Sequence, residues 1–305
     1  MSRILRWRIF RISGLLTLVA IIVFIVGSKV TLTESTSASI AGTPVKKTYF
    51  EFQLPDTNIC RGIRVNLRSG LVIDNGSHRV IYSYNAHETT PVASISKLLT
   101  AMVVLDNYNP DSIIVISKDD CYKSSRSILR FGDRVKVRDL LCAALIRSDN
   151  RAARAVARSV TSDINEFAAL MNSKALEIGM ENTIMFEPTG LDERNRSTAA
   201  DCARLVNAAI SYPEIARITS LKEFNFKPIN RRRGRKIVNT NKLLFSRYRV
   251  LAGKTGYISE SAYCLTTIIE DRQGRQLTVV VLGAPGPNSR FSQARRLANW
   301  AFQKL

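Results

Sequence analysis

The chain has 305 residues, of which 45% are hydrophobic and 23% charged, so its composition is that of a globular protein with one large core or two modest ones. Its formal net charge of +20 is unusual and points to an anionic neighbour, such as nucleic acid, a membrane surface or an acidic polymer. No nucleic-acid-binding motif accompanies the charge, which favours the cell envelope over nucleic acid. A basic surface that is merely solvated remains the alternative.

The N-terminus has the pattern of an export segment. Residues 1–11 are rich in arginine, and residues 12–28 are uncharged and mostly aliphatic, near the lower length limit of a membrane-spanning helix. Arginines before such a run keep the N-terminus inside and send the rest of the chain across the membrane. We therefore predict a membrane anchor or a cleaved signal segment over residues 1–28. The Ser/Thr-rich residues 29–48 are predicted to be a flexible linker, and residues 49–305 the folded domain.

The folded part opens with a predicted hairpin and a buried helix. Residues 71–84 contain two apolar runs separated by Asn75-Gly76, a strong hairpin signal. Pro91 precedes residues 94–107, in which apolar residues recur at helical spacing. A hairpin followed closely by a buried helix indicates an antiparallel sheet packed on that helix.

The middle of the chain is predicted to be helical. Residues 137–160 have a helical pattern that is interrupted at Ser148-Asp149-Asn150. Residues 163–178 form a second predicted helix, capped by Asp163 with Glu166 and ended by Gly179. A third is predicted over residues 198–211.

Strands return after Lys236, with predicted strands over residues 263–270 and 276–284, and a last helix over residues 291–303 covers the sheet. Strands at both ends with helices between them predict an α/β (α+β) fold with an inserted all-α lobe.

Ser94 and Lys97 are the first candidates for chemistry. Residues three apart in a helix lie on one face, so the lysine is within reach of the serine hydroxyl. A lysine acts as a base for serine when burial or a second cation lowers its pKa. A Ser-His-Asp hydrolase would have to use His78 or His87, and both lie before Ser94 in what are predicted to be a turn and a loop. Lysine is therefore the favoured base. The five cysteines form no Cys-x-x-Cys pair, which argues against a structural zinc site.

Three motifs stand in order along the chain. They are Ser94-x-x-Lys97, Ser148-Asp149-Asn150 and Lys254-Thr255-Gly256. With their surroundings, which match from about residue 65 onward, they resemble the low-molecular-mass penicillin-binding proteins. These are the serine D-alanyl-D-alanine carboxypeptidases, which share a superfamily with the serine β-lactamases. The resemblance implies a β-lactamase/transpeptidase-like fold, with a five-stranded antiparallel sheet flanked by helices.

The resemblance also implies a reaction. Ser94 would attack the peptide bond between two D-alanines of a peptidoglycan pentapeptide and form an acyl-enzyme, with Lys97 as the base. Ser148 would relay a proton to the departing amine. No cofactor and no metal are implied, and β-lactam antibiotics would be inhibitors. The expected location is the bacterial cell envelope, with attachment to the inner membrane through the N-terminal segment, or secretion if that segment is cleaved.

The same resemblance assigns the substrate-binding residues. Asn150 would hold Lys97 and the substrate amide. Lys254 would lie on an edge strand, lower the pKa of Lys97 and attract the terminal carboxylate, which Thr255 would also bind. Gly256 would let the peptide approach the strand closely. The N–H groups of Ser94 and Tyr257 would form the oxyanion hole.

Two departures from the family pattern keep alternatives open. The middle motif usually reads Ser-Gly-Asn, and Asp149 replaces the glycine; if a positive φ is needed there, aspartate tolerates it better than most residues. The second departure is length: many relatives carry a further β-rich domain, and we expect none here because the sequence stops at Leu305. This shorter form resembles relatives that are D,D-endopeptidases, so cleavage of peptide cross-links is the second hypothesis for the reaction.

A serine β-lactamase is a third hypothesis, although no Glu-x-x-Leu-Asn run supplies its deacylating base. A non-catalytic wall-binding protein is the fourth. The basic run at residues 231–236 is predicted to be a hairpin or loop that contacts anionic lipid or wall polymer, or is simply solvated.

Overall fold

The computed structural model describes residues 50–122 and 127–305. The predicted membrane anchor or signal segment (residues 1–28) and the predicted linker (residues 29–48) lie outside the described residues. Among the helices that are described, none combines the length and the hydropathy needed to cross a bilayer.

The described residues form eleven strands and seven α-helices. The strands are β1 (Ser69–Asp74), β2 (Val80–Tyr84), β3 (Thr90–Pro91), β4 (Ile113–Val115), β5 (Arg134–Lys136), β6 (Arg196–Ser197), β7 (Glu223–Phe226), β8 (Arg235–Val238), β9 (Arg249–Ile258), β10 (Ala262–Glu270) and β11 (Gln276–Ala284). The helices are α1 (Lys97–Asn107), α2 (Val137–Ile146), α3 (Asn150–Val160), α4 (Ile164–Glu177), α5 (Ala199–Ile210), α6 (Pro213–Ser220) and α7 (Ser289–Phe302).

The central sheet has five antiparallel strands in the order β2-β1-β11-β10-β9, which confirms the predicted fold class. Strand β9, which contains Lys254, is an edge strand as the resemblance implied. Alternate residues of a strand face opposite sides. Accordingly Leu71 and Ile73 join the core on the side of α1, whereas Val72 joins the core under α7. The sheet therefore separates two hydrophobic clusters.

The last helix covers one face of the sheet, as its apolar pattern predicted. Its buried residues are Phe291, Ala294, Leu297, Ala298, Ala301 and Phe302. On the other face, α5 rather than α1 makes the main contacts with β1, β10 and β11. Helix α1, which is buried almost throughout, contacts α5 and other helices of the middle segment. Six of the seven described α-helices lie between β2 and β9, which confirms the inserted helical lobe. The strand pair β3–β6 and the two-stranded sheet β4–β5 in this part of the chain were not predicted, nor was α6.

Local details differ from the sequence predictions at three turns. The first hairpin turns over residues 75–79 rather than over Asn75-Gly76 alone, because the Asp74 carboxylate accepts hydrogen bonds from the amides of Gly76 and Ser77. The predicted helix at Ser94 begins with a 3₁₀ turn, Ala93–Ser96. Asp163 caps α4 by accepting from the Asn165 amide, but Glu166 accepts from the Thr161 hydroxyl instead of completing a capping box.

Candidate active site

Ser94 lies in the 3₁₀ turn that precedes α1, and Lys97 is the first residue of that helix. The Lys97 Nζ lies 2.7 Å from the Ser94 Oγ and 2.8 Å from the Asn150 Oδ1, and it also donates to the carbonyl of Thr189. The structure thus brings the first two motifs together, since Asn150 begins α3. Ala93, just before the serine, has a left-handed φ of 48°.

A second lysine–serine pair lies in the same groove. The Lys254 Nζ donates to the Ser148 Oγ at 2.9 Å and to the Thr255 carbonyl at 2.8 Å. Ser148 has a φ of 63°, another left-handed conformation that is rare in a residue with a side chain. Such strained positions persist where the surrounding structure enforces them, and they cluster at functional sites.

The three motifs line one groove of about 580 Å³. Its walls are the 3₁₀ turn with Ser94, the loop that joins α2 to α3, and the outer edge of β9. The described residues that line it are Ser94, Ser127, Arg147, Ser148, Asp149, Asn150, Leu191, Val238, Thr240, Thr255, Gly256, Tyr257 and Arg290. Tyr257 is 52% exposed at the rim and stacks on Tyr263, with ring centroids 4.2 Å apart. Clefts that combine apolar walls with a few converging polar groups are the usual ligand sites.

Comparisons with known proteins agree on one family. The family model described as D-alanyl-D-alanine carboxypeptidase matches residues 57–286. An endopeptidase of Pseudomonas aeruginosa, named D-alanyl-D-alanine endopeptidase, is 39% identical over 76% of this chain and 76% of its own length. The D-alanyl-D-alanine carboxypeptidase DacF of Bacillus subtilis is 30% identical over 78% of this chain and 62% of its own length. The solved DD-transpeptidase of Streptomyces K15 is 27% identical, with a TM-score of 0.74 over 79% of this chain and 98% of that one.

The chain belongs to the D-alanyl-D-alanine carboxypeptidase family. The sequence prediction of a serine peptidase of this family is confirmed. The structural match to a DD-transpeptidase also confirms the penicillin-binding type of fold.

Both lysines of this family member are buried, with 1% exposure each. Burial lowers the pKa of Lys97 to about 7, the carboxylates of Glu187 and Asp149 oppose this shift, and the Arg154 guanidinium adds to it. The pKa of Lys254 is also lowered well below its usual value, by burial and then by the charges of Lys97 and Arg290. The resemblance to the family implied that the charge of Lys254 lowers the pKa of Lys97. In the structure, the main cause is instead the burial of Lys97 away from solvent.

Gly256 has a packing role that the sequence did not indicate. A Cβ at this position would lie 2.6 Å from the Val92 carbonyl oxygen and 3.3 Å from the Ser94 amide nitrogen. The glycine therefore lets β9 pack against the backbone of the serine turn, and the close approach of a peptide to this strand stays a prediction. Gly190, whose φ is +76°, packs against the same turn, and a Cβ at that position would overlap the Ala93 carbonyl.

Asp149 does not have the positive φ considered for it, because its φ is −72° and Ser148 has the left-handed backbone. Its carboxylate is buried and accepts hydrogen bonds from the Ser127 hydroxyl and from the amides of Ile128, Arg151 and Ala152. Asp149 is therefore the N-cap of α3.

Sequence reasoning assigned no role to several residues that shape the site. Glu187 fixes the loop before Leu191 by accepting from the amides of Thr189 and Leu191, so that the Thr189 carbonyl reaches Lys97. The Thr240 and Thr255 hydroxyls lie 2.7 Å apart. Arg290 donates to the Gly256 carbonyl at 2.8 Å. Each stood in a segment that resembles the family, but only folding shows what it contacts.

Proposed function

We propose that Ser94 is the nucleophile of a D-Ala-D-Ala peptidase and that Lys97 is its base. A neutral amine 2.7 Å from a serine hydroxyl can take its proton as the oxygen attacks a carbonyl carbon. The C–N bond of the substrate then breaks, and Ser148 relays the proton to the departing amine. Water afterwards hydrolyses the ester on Ser94 and releases the shortened peptide. The observation that supports this assignment best is the buried contact between Lys97 and Ser94.

Substrate binding in this proposal depends on Lys254. Among the described residues, no carboxylate lies within ion-pair distance of it, although Ser148 and the Thr255 carbonyl accept its hydrogen bonds. Burial disfavours the charged form of Lys254, so an anionic ligand beside the amine would stabilise its protonated form and would be bound more tightly in return. The terminal carboxylate of the substrate would supply that charge, and Thr255 and Thr240 would hydrogen-bond it. Asn150 would orient the substrate amide as well as Lys97.

The oxyanion of the tetrahedral intermediate also needs donors. We assign this task to the N–H groups of Ser94 and Tyr257, which lie on the two segments that Gly256 brings into contact. Removing one such donor typically costs about 3 kcal/mol of transition-state stabilisation.

Covalent labelling with a fluorescent penicillin tests the assignment. We expect one stable adduct, located on Ser94 by peptide mass analysis, and no adduct in Ser94→Ala. Ser292→Ala, which removes an exposed hydroxyl on α7, is the matched control and should label normally. A label that is hydrolysed rapidly would instead favour a β-lactamase. Absence of labelling in the folded wild-type protein would favour a non-catalytic wall-binding protein.

Endopeptidase activity on cross-links is the second candidate. The relatives from Pseudomonas aeruginosa and Escherichia coli that are named endopeptidases are 39% and 35% identical, compared with 30% for the Bacillus subtilis carboxypeptidase. Incubation with a pentapeptide muropeptide and with a cross-linked dimer, followed by mass analysis, separates the two reactions. Loss of one D-alanine from the monomer identifies a carboxypeptidase, and cleavage of the dimer into two monomers identifies an endopeptidase.

The envelope is the place of action that this family implies. We propose in addition that residues 1–28 anchor the protein in the inner membrane or direct its export as a cleaved signal. Fractionation of cells that express the full chain distinguishes these, because an anchored protein stays with the membranes and retains Met1 or Ser2 at its N-terminus. A mature protein that starts near residue 29 and is found in the soluble envelope fraction would identify a signal peptide.

A further inference from the structure

A strongly basic surface lies beside the groove, on the β7–β8 hairpin and the loop before β5. Residues 127–134 and 223–238 together contain eight basic and two acidic residues. The two acidic residues already have partners, since Asp133 pairs with Arg231 at 2.6 Å and Glu223 with Lys236 at 2.6 Å. Six exposed cations have no ion-pair partner among the described residues. We call them the basic hairpin surface: Arg130, Arg134, Lys227, Arg232, Arg233 and Arg235.

The backbone beneath the basic hairpin surface is held in place by specific contacts. The Ile229 amide donates to the Arg134 carbonyl at 2.8 Å, and the Arg134 amide donates to the Asn230 Oδ1 at 3.0 Å. The Asn230 side chain in turn donates to the Gly132 carbonyl at 2.9 Å. The Arg231–Asp133 pair, whose carboxylate is buried, fastens the two segments. A simple solvated loop does not need such anchoring, whereas a binding surface gains affinity from preorganisation.

Both segments of this surface run into the groove. Ser127 lines the groove, and residues 127–134 lead from it to Arg130 and Arg134. At the other end, Val238 and Thr240 line the groove directly after β8. Arg235 is three residues before Val238, which is about 10 Å along a strand. A polymer that occupies the groove and extends past Val238 therefore meets the basic hairpin surface.

We infer that the basic hairpin surface binds the carboxylates of intact, cross-linked peptidoglycan while one stem peptide occupies the groove. This inference rests on the proposed function and specifies its substrate as the polymer rather than a free peptide. Neighbouring stem peptides carry several carboxylates, and clustered cations raise the local concentration and the association rate of such a polyanion. Continuity with the groove favours wall polymer over a membrane surface. A polymer whose stem peptide occupies the groove passes over this surface, whereas binding of a lipid headgroup does not require a position beside Ser94.

The test compares two triple variants that lose the same charge. Arg232→Ala/Arg233→Ala/Arg235→Ala removes half of the basic hairpin surface. Arg61→Ala/Arg64→Ala/Arg295→Ala is the control and removes three exposed arginines. They lie near the hydrophobic cluster that α7 covers, on the face of the sheet opposite the cluster that contains α1. Each protein is assayed on a soluble cross-linked muropeptide dimer, on a pentapeptide monomer and on intact sacculi, with co-sedimentation of protein and sacculi as the binding measurement.

We expect the hairpin variant to lose roughly tenfold in the rate on sacculi at low salt and to co-sediment less, while its turnover of the soluble substrates stays within about twofold of wild type. The control variant should resemble wild type in every assay. Raising the salt from ~0.05 to ~0.5 M should abolish the difference on sacculi, because exposed charges are then screened.

Several results would overturn the inference. Equal losses in both triple variants would indicate an effect of net charge alone. A loss on soluble substrates would place the effect inside the groove. Unchanged sacculus hydrolysis, with wild type but not the hairpin variant binding vesicles of anionic phospholipid, would assign the surface to the membrane. If wild type neither binds penicillin nor cleaves any muropeptide, the proposed function fails instead, and this result is distinct from the other three.

Discussion

Lys97 shows how burial prepares one side chain for its proposed role as a base. It is enclosed at the start of α1, next to Ser94, Asn150 and the Thr189 carbonyl, and this environment disfavours its charged form. A lysine with its ordinary pKa would hold its proton at neutral pH and could not accept another. With a pKa of about 7, a large fraction of Lys97 is neutral at neutral pH.

The pH dependence of acylation follows from that pKa. Only the neutral amine accepts the serine proton, so the second-order rate of acylation by a penicillin should rise about tenfold per pH unit below pH 7 and level off above it. Rapid-mixing measurements between pH 5 and pH 9 check this. Lys97→Arg, which keeps the charge but cannot lose it, should be slower by about 10²–10⁴-fold across the range. A rate that is flat down to pH 5 would exclude Lys97 as the base.

Gly256 lies against the backbone of the turn that contains Ser94, the proposed nucleophile. In Gly256→Ala, the new Cβ would clash with the Val92 carbonyl at 2.6 Å and push the serine turn away from β9. A displacement of about 1 Å costs on the order of 10²-fold in rate, and we expect that loss in penicillin acylation.

Gly76→Ala is the control for this prediction, because its Cβ would make only ordinary contacts with Asp74. Circular dichroism and the melting temperature show whether each variant is folded. Normal acylation by a folded Gly256→Ala protein would mean that the contact between β9 and the serine turn does not position Ser94.

At the scale of one element, α3 depends on the residue that replaces the usual glycine of the middle motif. Asp149 caps the helix and also ties it to residues 127 and 128, so the segment before the basic hairpin surface, the Ser148 turn and Asn150 are joined by one carboxylate. A buried carboxylate with several donors stabilises more than an exposed cap does.

Asp149→Gly should therefore lower the free energy of unfolding by ~1–3 kcal/mol, since it leaves the buried Ile128 amide without its acceptor and adds backbone freedom to the unfolded chain. Urea denaturation of the purified protein measures the change. Asp149→Asn keeps an acceptor oxygen and should lose less. If the glycine variant is as stable as wild type, the carboxylate is not structural, and its negative charge near Lys97 would be the remaining explanation for its presence.

At the scale of the whole molecule, the sheet and the inserted helices share one hydrophobic cluster. Three buried cysteines belong to it, namely Cys142 of α2, Cys202 of α5 and Cys264 of β10. Burial raises the pKa of the Cys142 thiol to about 12 and raises the pKa values of the other two as well, so all three thiols are unreactive while the cluster is packed. A shared core predicts that helices and sheet unfold together.

Thiol labelling in the native state tests that cooperativity. Cys60, which is partly exposed, should react directly in the folded protein, at a rate that does not depend on unfolding. The three buried thiols should react only through global opening, with the same free energy as the urea transition. Single-cysteine variants and mass analysis assign the rates. Much faster labelling of Cys142 than of Cys264 would show that the helical segment opens separately from the sheet.

Much of the fold could be predicted from the sequence because its strongest signals are local. The last helix was predicted from six apolar residues at helical spacing, and all six are buried. The edge position of β9 and the helical middle segment followed from the resemblance to the family. The turn at residues 75–79, the short strand pairs and α6 were missed, because side-chain hydrogen bonds and long-range contacts decide them rather than periodicity.

The sequence by itself determined the three motifs, their order and the family, since these depend only on which residues occur and at what spacing. Tertiary structure alone decided that burial lowers the pKa of Lys97, that Ser148 rather than Asp149 has the left-handed backbone, and that Gly256 accommodates the serine turn. Solvent exclusion and close backbone approach arise between segments up to about 160 positions apart, such as residues 94 and 256. No local pattern specifies which atoms meet across such a separation.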